Sequence, residues 1–237
     1  MKSAEKNKKM ISATLADKEL FKQLLKNLKE IKSNGITTHK ILNIGAGRTI
    51  VIEEFIAGNV NDFICDRIDV DSAKVSHPNI GKCWEGSIES MSPVESDNYY
   101  VAFSNYVLEH VPDIRKASME IFRILKPSGR FIATIPNVNA PEFVMAKLTP
   151  LWLHKIVRRG EAWETHYAFS SINDLVAIFE ASGFNTLDVK YYPHIELYLE
   201  RVSPILGILG RIYDKTISSL KINRLMGSTC VVFEKPL

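Results

Sequence analysis

Gly45-Ala46-Gly47 stands directly after the apolar run Lys40-Ile41-Leu42-Asn43-Ile44. Two glycines at this spacing let a backbone approach a ligand closely and aim its amides at a negative group. A helix that follows adds the positive end of its dipole. The same turn also serves as a plain tight connection between strand and helix. A dinucleotide fingerprint needs a third small residue three positions after Gly47, and Ile50 holds that place. A β-branched side chain there would crowd helix against strand and pyrophosphate, which disfavours NAD. No Gly-Lys-Ser/Thr follows, so a phosphate-binding P-loop is excluded.

The elements that must hold this turn alternate in type. An amphipathic helix is expected over 17–32, where Leu20, Phe21, Leu24, Leu25, Leu28 and Ile31 recur at three and four residues with lysines between them. Asn34-Gly35 supplies its stop. Strands are expected at 40–44, 63–70, 99–104, 130–135, 186–192 and 228–234. Helices are expected at 49–57, at 112–125, with Pro112 in the first turn and Pro127-Ser128-Gly129 as the stop, and from Ser170 or Ser171 to Ser182. Asp174 is a capping-box partner for the last of these and Gly183 its stop. Such alternation predicts an α/β, Rossmann-like, doubly wound sheet with helices on both faces. Ligands of such sheets sit beyond the carboxyl ends of the strands, where strand order reverses.

The 237 residues are 46% hydrophobic and 24% charged, the balance of an ordinary globular protein and not of a disordered chain or a disulfide scaffold. Thirty Lys and Arg against 27 Asp and Glu leave a formal charge of +3, too small an excess to imply nucleic-acid binding. Cys65, Cys83 and Cys230 offer neither a CxxC pair nor metal-ligand spacing, so free thiols, no metal and a reducing, cytoplasmic setting are expected. The lysine-rich start is not followed by a signal-peptide stretch, and the apolar run near 202–213 is too short to span a bilayer.

Leu42-Asn43-Ile44-Gly45-Ala46-Gly47-Arg48-Thr49 resembles the first motif of class I S-adenosylmethionine-dependent methyltransferases, usually written Asp, Gly, x, Gly, x, Gly. Gly86-Ser87-Ile88-Glu89 is similar to the family's adenine-proximal segment. YVAFSNYVLEHV, residues 100–111, resembles its fourth strand and following turn, and EIFRILKPSGRFIATIP, residues 120–136, its next helix and fifth strand. The resemblance covers about 38–138, with 167–184 similar to the following unit. It implies a seven-stranded, mostly parallel sheet with an antiparallel last strand. Asn43 departs from the family's acid, Thr49 from its third glycine and Ser128 from the first glycine of its Gly-Gly pair.

The resemblance implies S-adenosyl-L-methionine as cofactor. Asn43, Gly45, Ala46 and Gly47 would serve its methionyl end. An acid at the end of the second strand, about 20 residues beyond the glycines, would take both ribose hydroxyls. Asp69 is favoured because it ends the apolar run as the family pattern requires, then Asp71, then Asp66. Ser87 and Ile88 would border adenine, and Asn105 and Tyr106 the sulfonium end. In-line methyl transfer gains much of its rate from alignment. An oxygen or carbon nucleophile also needs a proton acceptor, for which histidine is suited near neutral pH. His110 is the first candidate, with a structural role in the turn before Pro112 as the other reading. His166 is the second. Glu120 and Arg123 read as a structural pair.

Residues 1–37 read as a basic tail and helix preceding a methyltransferase domain at 38–237. The stretch 140–168, with Trp152, His154, Arg158, Arg159 and Trp163, suits a lid or acceptor wall. The segment 195–225 reads as apolar-rich basic helices that pack on the core or on a second subunit as in a homodimer, or lie peripherally on a membrane. The expected activity is methylation of oxygen or carbon on a small-molecule, saccharide or lipid-linked acceptor. A non-catalytic cofactor-binding protein and an NAD-dependent enzyme are the alternatives.

Overall fold

The computed structural model describes residues 14–33, 39–71, 75–141, 143, 165–200 and 202–237. The chain forms α1 (Leu15–Ser33), β1 (His39–Ile44), α2 (Val51–Ala57), β2 (Phe63–Asp69), β3 (Ile80–Glu85) and β4 (Tyr99–Asn105). There follow α3 (Ile114–Ile124), β5 (Leu125–Pro136), α4 (Ile172–Ala181), β6 (Asn185–Tyr192), α5 (Ile195–Glu200), α6 (Pro204–Ser219) and β7 (Ser228–Glu234). Among the described residues one sheet holds all seven strands in the order β3-β2-β1-β4-β5-β7-β6. Only β7 runs against its neighbours. Strand order reverses between β1 and β4, so their carboxyl ends open the crevice expected of such a sheet.

Each face has its own core. On one, Leu20, Leu24 and Leu28 of α1 meet Ile41, Phe63, Val101, Phe103 and Ile132 of the sheet. The helix placed before residue 38 thus shares the core of the sheet. On the other, α3 and α4 cover Leu42, Phe131 and Phe233, with Phe179 stacked on Phe233 at 4.4 Å between ring centres. Buried parallel strands read as continuous apolar runs, which is why β1, β2 and β4 stand out in the sequence.

The sequence reading missed β3. It is an edge strand without clean alternation, and Gly81, Lys82 and Glu85 are exposed. Two boundaries also differ. Asp113, not Pro112, sits at the entry of α3, accepting the Lys116 amide at 3.1 Å, so Pro112 precedes the helix. Residues 127–129 do not separate α3 from a strand, because β5 begins at Leu125 and its register on β4 shifts there. Ser128, where the family pattern has glycine, takes φ +60°. Ser171 caps α4 as expected, but the Asp174 carboxylate returns to Ser170 rather than to Ser171.

Candidate functional site

A cavity of about 440 Å³ opens at the carboxyl ends of β1, β2 and β4. Four chain segments meet in its wall: the glycine turn, the acidic end of β2, the residues after β3, and the turn after β4.

Both glycines of the turn take a left-handed backbone. Gly45 has φ +69°, and a Cβ there would overlap the Val107 side chain. Gly47 has φ +56°, and a Cβ there would meet nothing within 4 Å, because the position faces open space on the cavity wall. The turn amides are used within the protein. Gly45 and Ala46 donate to the Ile68 carbonyl at 2.9 and 3.3 Å, and Gly47 donates to Asp69 Oδ2 at 2.7 Å. The turn therefore offers a ligand close backbone approach rather than three free amides. Ala46 itself does not line the cavity.

Beneath the turn lies a buried polar cluster. The Asn43 amide donates to Glu53 Oε1 at 2.9 Å, and Arg67 Nε sits 3.3 Å from the same oxygen. Arg67 Nη2 donates to the carbonyls of Ala46, Gly47 and Thr49 at 2.7, 3.2 and 2.7 Å. Asn43, expected at the methionyl end, thus points away from the cavity. It braces the turn through Glu53 and Arg67, neither of which the sequence reading singled out.

Of the three acids, Asp69 and Asp71 line the cavity and Asp66 does not. Asp69 Oδ1 accepts the Asp71 amide at 2.8 Å. With the Gly47 amide on Oδ2, both oxygens are oriented and each keeps a second lone pair for a ligand hydroxyl. Asp71 pairs with Arg48 Nη2 at 2.8 Å at the exposed rim. Asp66 is buried, taking the Tyr99 hydroxyl and the Lys82 amide, each at 2.7 Å.

Ser87 and Ile88 line the cavity with Gly86. Two carboxylates fix this segment. Glu89 accepts the Asp113 amide at 2.6 Å, and Glu120 accepts the Met91 amide at 2.6 Å. Arg123 holds Glu120 through two bonds, at 2.8 and 2.9 Å, and reaches the Val94 and Met91 carbonyls. The Glu120–Arg123 pair is thus structural and anchors a cavity wall.

After β4, Tyr106 takes φ +54° and lines the cavity with Val107, His110, Val111 and Pro112. Burial pushes the Tyr106 phenol up to about 12, so it stays a donor, and its hydroxyl meets Ser228 Oγ at 3.1 Å and Thr14 Oγ1 at 3.2 Å. Asn105 does not line the cavity, since Thr134 on the neighbouring strand bonds its side-chain oxygen. His110 is on the wall. His166 is not: its side chain is exposed, and its backbone amide bonds the Glu109 carbonyl at 2.9 Å. Apart from 140, 141, 143 and 165–168, the expected lid at 140–168 lies outside the described residues.

Glu109 is the group the sequence reading passed over. It is buried, with Oε1 3.8 Å from His110 Nε2 and Oε2 without a hydrogen-bond partner among the described residues. Burial pushes its carboxyl up to about 8. Its signal was its place between Leu108 and His110 in a turn that lines the site.

A family model described as a methyltransferase domain matches residues 14–189, so the chain belongs to the S-adenosylmethionine-dependent methyltransferases of class I. The match begins at α1, earlier than the sequence resemblance reached. Among relatives, the chain is 27% identical over 168 residues to the ubiquinone biosynthesis O-methyltransferase of Aeromonas salmonicida, covering 67% of this chain and 68% of that one. It is 30% identical over 109 residues to the ubiquinone/menaquinone biosynthesis C-methyltransferase UbiE of Bartonella bacilliformis, 40% of each chain, and so spans less than half of that relative. Solved structures share the fold. The phosphoethanolamine N-methyltransferase 2 of Haemonchus contortus, in complex with S-adenosyl-L-methionine, aligns with a TM-score of 0.55 at 14% identity over 90% of this chain and 52% of that one. The (4+2)-cyclase SpnF aligns with 0.56 at 16% identity over 84% and 76%.

The family's cofactor is S-adenosyl-L-methionine, and the dinucleotide alternative falls with it. The cavity fits that molecule on its own terms. Gly47 leaves a cradle that any Cβ would enter, Asp69 presents an oriented carboxylate, and Ile68, Ile88 and Val111 supply an apolar slot.

Proposed function

We propose that the chain methylates an oxygen or carbon of an apolar, lipid-linked acceptor, with His110 taking the acceptor's proton. The observation that carries this reading is that the Gly47–Asp69 unit and His110 line one and the same cavity. S-adenosyl-L-methionine supplies an electrophilic methyl group when bound. Asp69 would hold the ribose hydroxyls, Gly47 would admit the methionyl end, and Ile88 with Ser87 would border adenine. Tyr106, its hydroxyl already engaged by Ser228 and Thr14, would act as a fixed wall. His110 would receive the proton at its imidazole, beside a Glu109 carboxyl that stays largely protonated below pH 8.

Two observations support an apolar acceptor. The wall around His110 is built from Val107, Val111 and Pro112. Two relatives carry names from quinone biosynthesis, one an O- and one a C-methyltransferase. A non-catalytic cofactor-binding protein would draw on Asn43 in place of the family's acid and on the lack of an unmistakable base. The Asn43 side chain braces the turn through Glu53 and does not line the cavity, so the first of these gives it no support. The test is turnover with methyl-labelled cofactor against prenylated phenols, free phenols and saccharides. Label in the prenylated phenol above the other two supports the reading, and equal or greater label in saccharide overturns it.

A further inference from the structure

In the hairpin of α5 and α6, four large apolar side chains of α6 point outward. Its buried seam is Gly207, Gly210, Asp214 and Ile217. A Cβ on Gly207 would lie 3.0 Å from Glu200 Cβ, and one on Gly210 2.8 Å from Glu196 Cα, so the glycines are what let the two helices touch. Asp214 fills the rest of the seam by accepting the Ile195 and Glu196 amides at 3.3 and 2.9 Å. Ile205, Ile208, Leu209 and Ile212 are left 72%, 56%, 57% and 58% exposed. They recur at three and four residues and form one stripe along the 16-residue α6. An ordinary surface helix turns such a stripe toward the core.

The charge along α6 and the turn after it is basic, while on α5 Glu196 pairs with Arg211 at 2.7 Å and Glu200 is exposed beside Gly207. Between residues 202 and 227 the exposed charged residues are Arg211, Lys215, Lys221 and Arg224, and the one acid, Asp214, is buried in the seam. We propose that this face of α6 docks in the interfacial layer of an anionic lipid bilayer, apolar stripe inward and basic side chains among the headgroups. Apolar stripe plus cationic flank is the pattern of a helix that lies in a membrane interface. A second copy of the chain is the competing occupant, and α6 offers no exposed acid to pair with Lys215, Lys221 and Arg224 across such a contact.

Docking there has a consequence for the site. The hairpin connects β6 to β7, and Ser228 at the start of β7 bonds the cavity tyrosine, Tyr106, at 3.1 Å, with His194 Nδ1 at 3.3 Å on the other side. The docking face is thus joined to the cavity through His194, Ser228 and Tyr106. The inference deepens the lipid-linked acceptor reading and rests on that reading for its purpose, though not for its test.

The test is co-sedimentation of the full chain with vesicles of phosphatidylcholine alone and of phosphatidylcholine with phosphatidylglycerol. The wild type is expected to pellet with the anionic vesicles and to be released by salt. Ile208→Asp with Ile212→Asp should cut binding by about ten-fold or more. Lys215→Glu with Lys221→Glu should also cut it by about ten-fold or more, on anionic vesicles alone. Neither pair should alter the circular dichroism melt or the affinity for S-adenosylhomocysteine. A wild type that stays in solution with anionic vesicles overturns the proposal, as does binding that both double variants leave unchanged. A wild-type dimer by light scattering that the Ile208/Ile212 pair splits also overturns it, in favour of a second copy. Affinity for S-adenosylhomocysteine reads the methyltransferase site separately, so loss of vesicle binding and loss of cofactor binding are distinct failures.

Discussion

The Gly47 amide donates to Asp69 Oδ2 at 2.7 Å, closing the turn after β1 onto the end of β2. The turn and the acid are therefore one unit. The turn fixes the carboxylate's rotamer, and the carboxylate holds Gly47 at φ +56°. Arg67 grips the same turn from below through three carbonyls, so the unit is braced from both sides.

The two glycines should fail differently. Gly47→Val faces open space in the cavity, so it should remove cofactor binding and lower stability by only about 1–2 kcal/mol for the left-handed backbone. Gly45→Ala drives a Cβ into Val107 and should destabilise the whole β1–β4 contact. Titration and thermal melts on both variants check the contrast.

His110→Ala should lower turnover by about 10²–10⁴ with cofactor affinity nearly unchanged. A structural histidine would instead lower melting temperature and affinity together. Activity within a few-fold of wild type would remove the proton-acceptor role and leave alignment as the source of rate.

Glu109 predicts a pH dependence of stability. An unfolded glutamate ionises near pH 4.3, whereas burial holds this carboxyl protonated up to about 8. Below about pH 4.3 both states keep the proton. Between there and pH 8 only the folded state does, so stability falls as pH rises through that window and levels off above it. Glu109→Gln should flatten this slope and stabilise the protein at pH 8 more than at pH 5. Denaturant melts at both pH values check it.

Ser128→Gly should stabilise the fold by about 0.5–1 kcal/mol, since Ser128 holds φ +60° where glycine carries no such cost. A chemical melt that moves the other way would show that the serine side chain compensates for its backbone.

Much of this was legible in the sequence because apolar runs and glycines report directly on backbone geometry. The runs at Ile41, Phe63 and Val101 are buried strands, and Gly45 and Gly47 both take positive φ. What the sequence did not report was side-chain direction. Asn43 and Asn105 stand beside cavity-lining neighbours, yet one turns to Glu53 and the other to Thr134. His166 has the right chemistry and the wrong exposure. Edge strand β3 left no pattern because half of it faces solvent. Glu109 was hidden for a related reason: a carboxyl reads as surface until burial is known.

Calorimetric titration of the wild type and of Asp69→Ala with S-adenosylhomocysteine tests the central claim most directly. One site per chain is expected in the wild type. The variant should lose about 1.5–3 kcal/mol, the usual range for hydrogen bonds to a charged group. Asp71→Ala, whose carboxylate is already committed to Arg48 at the rim, should lose less. No binding heat at any concentration in a folded wild type, or a larger loss in Asp71→Ala than in Asp69→Ala, would contradict the account.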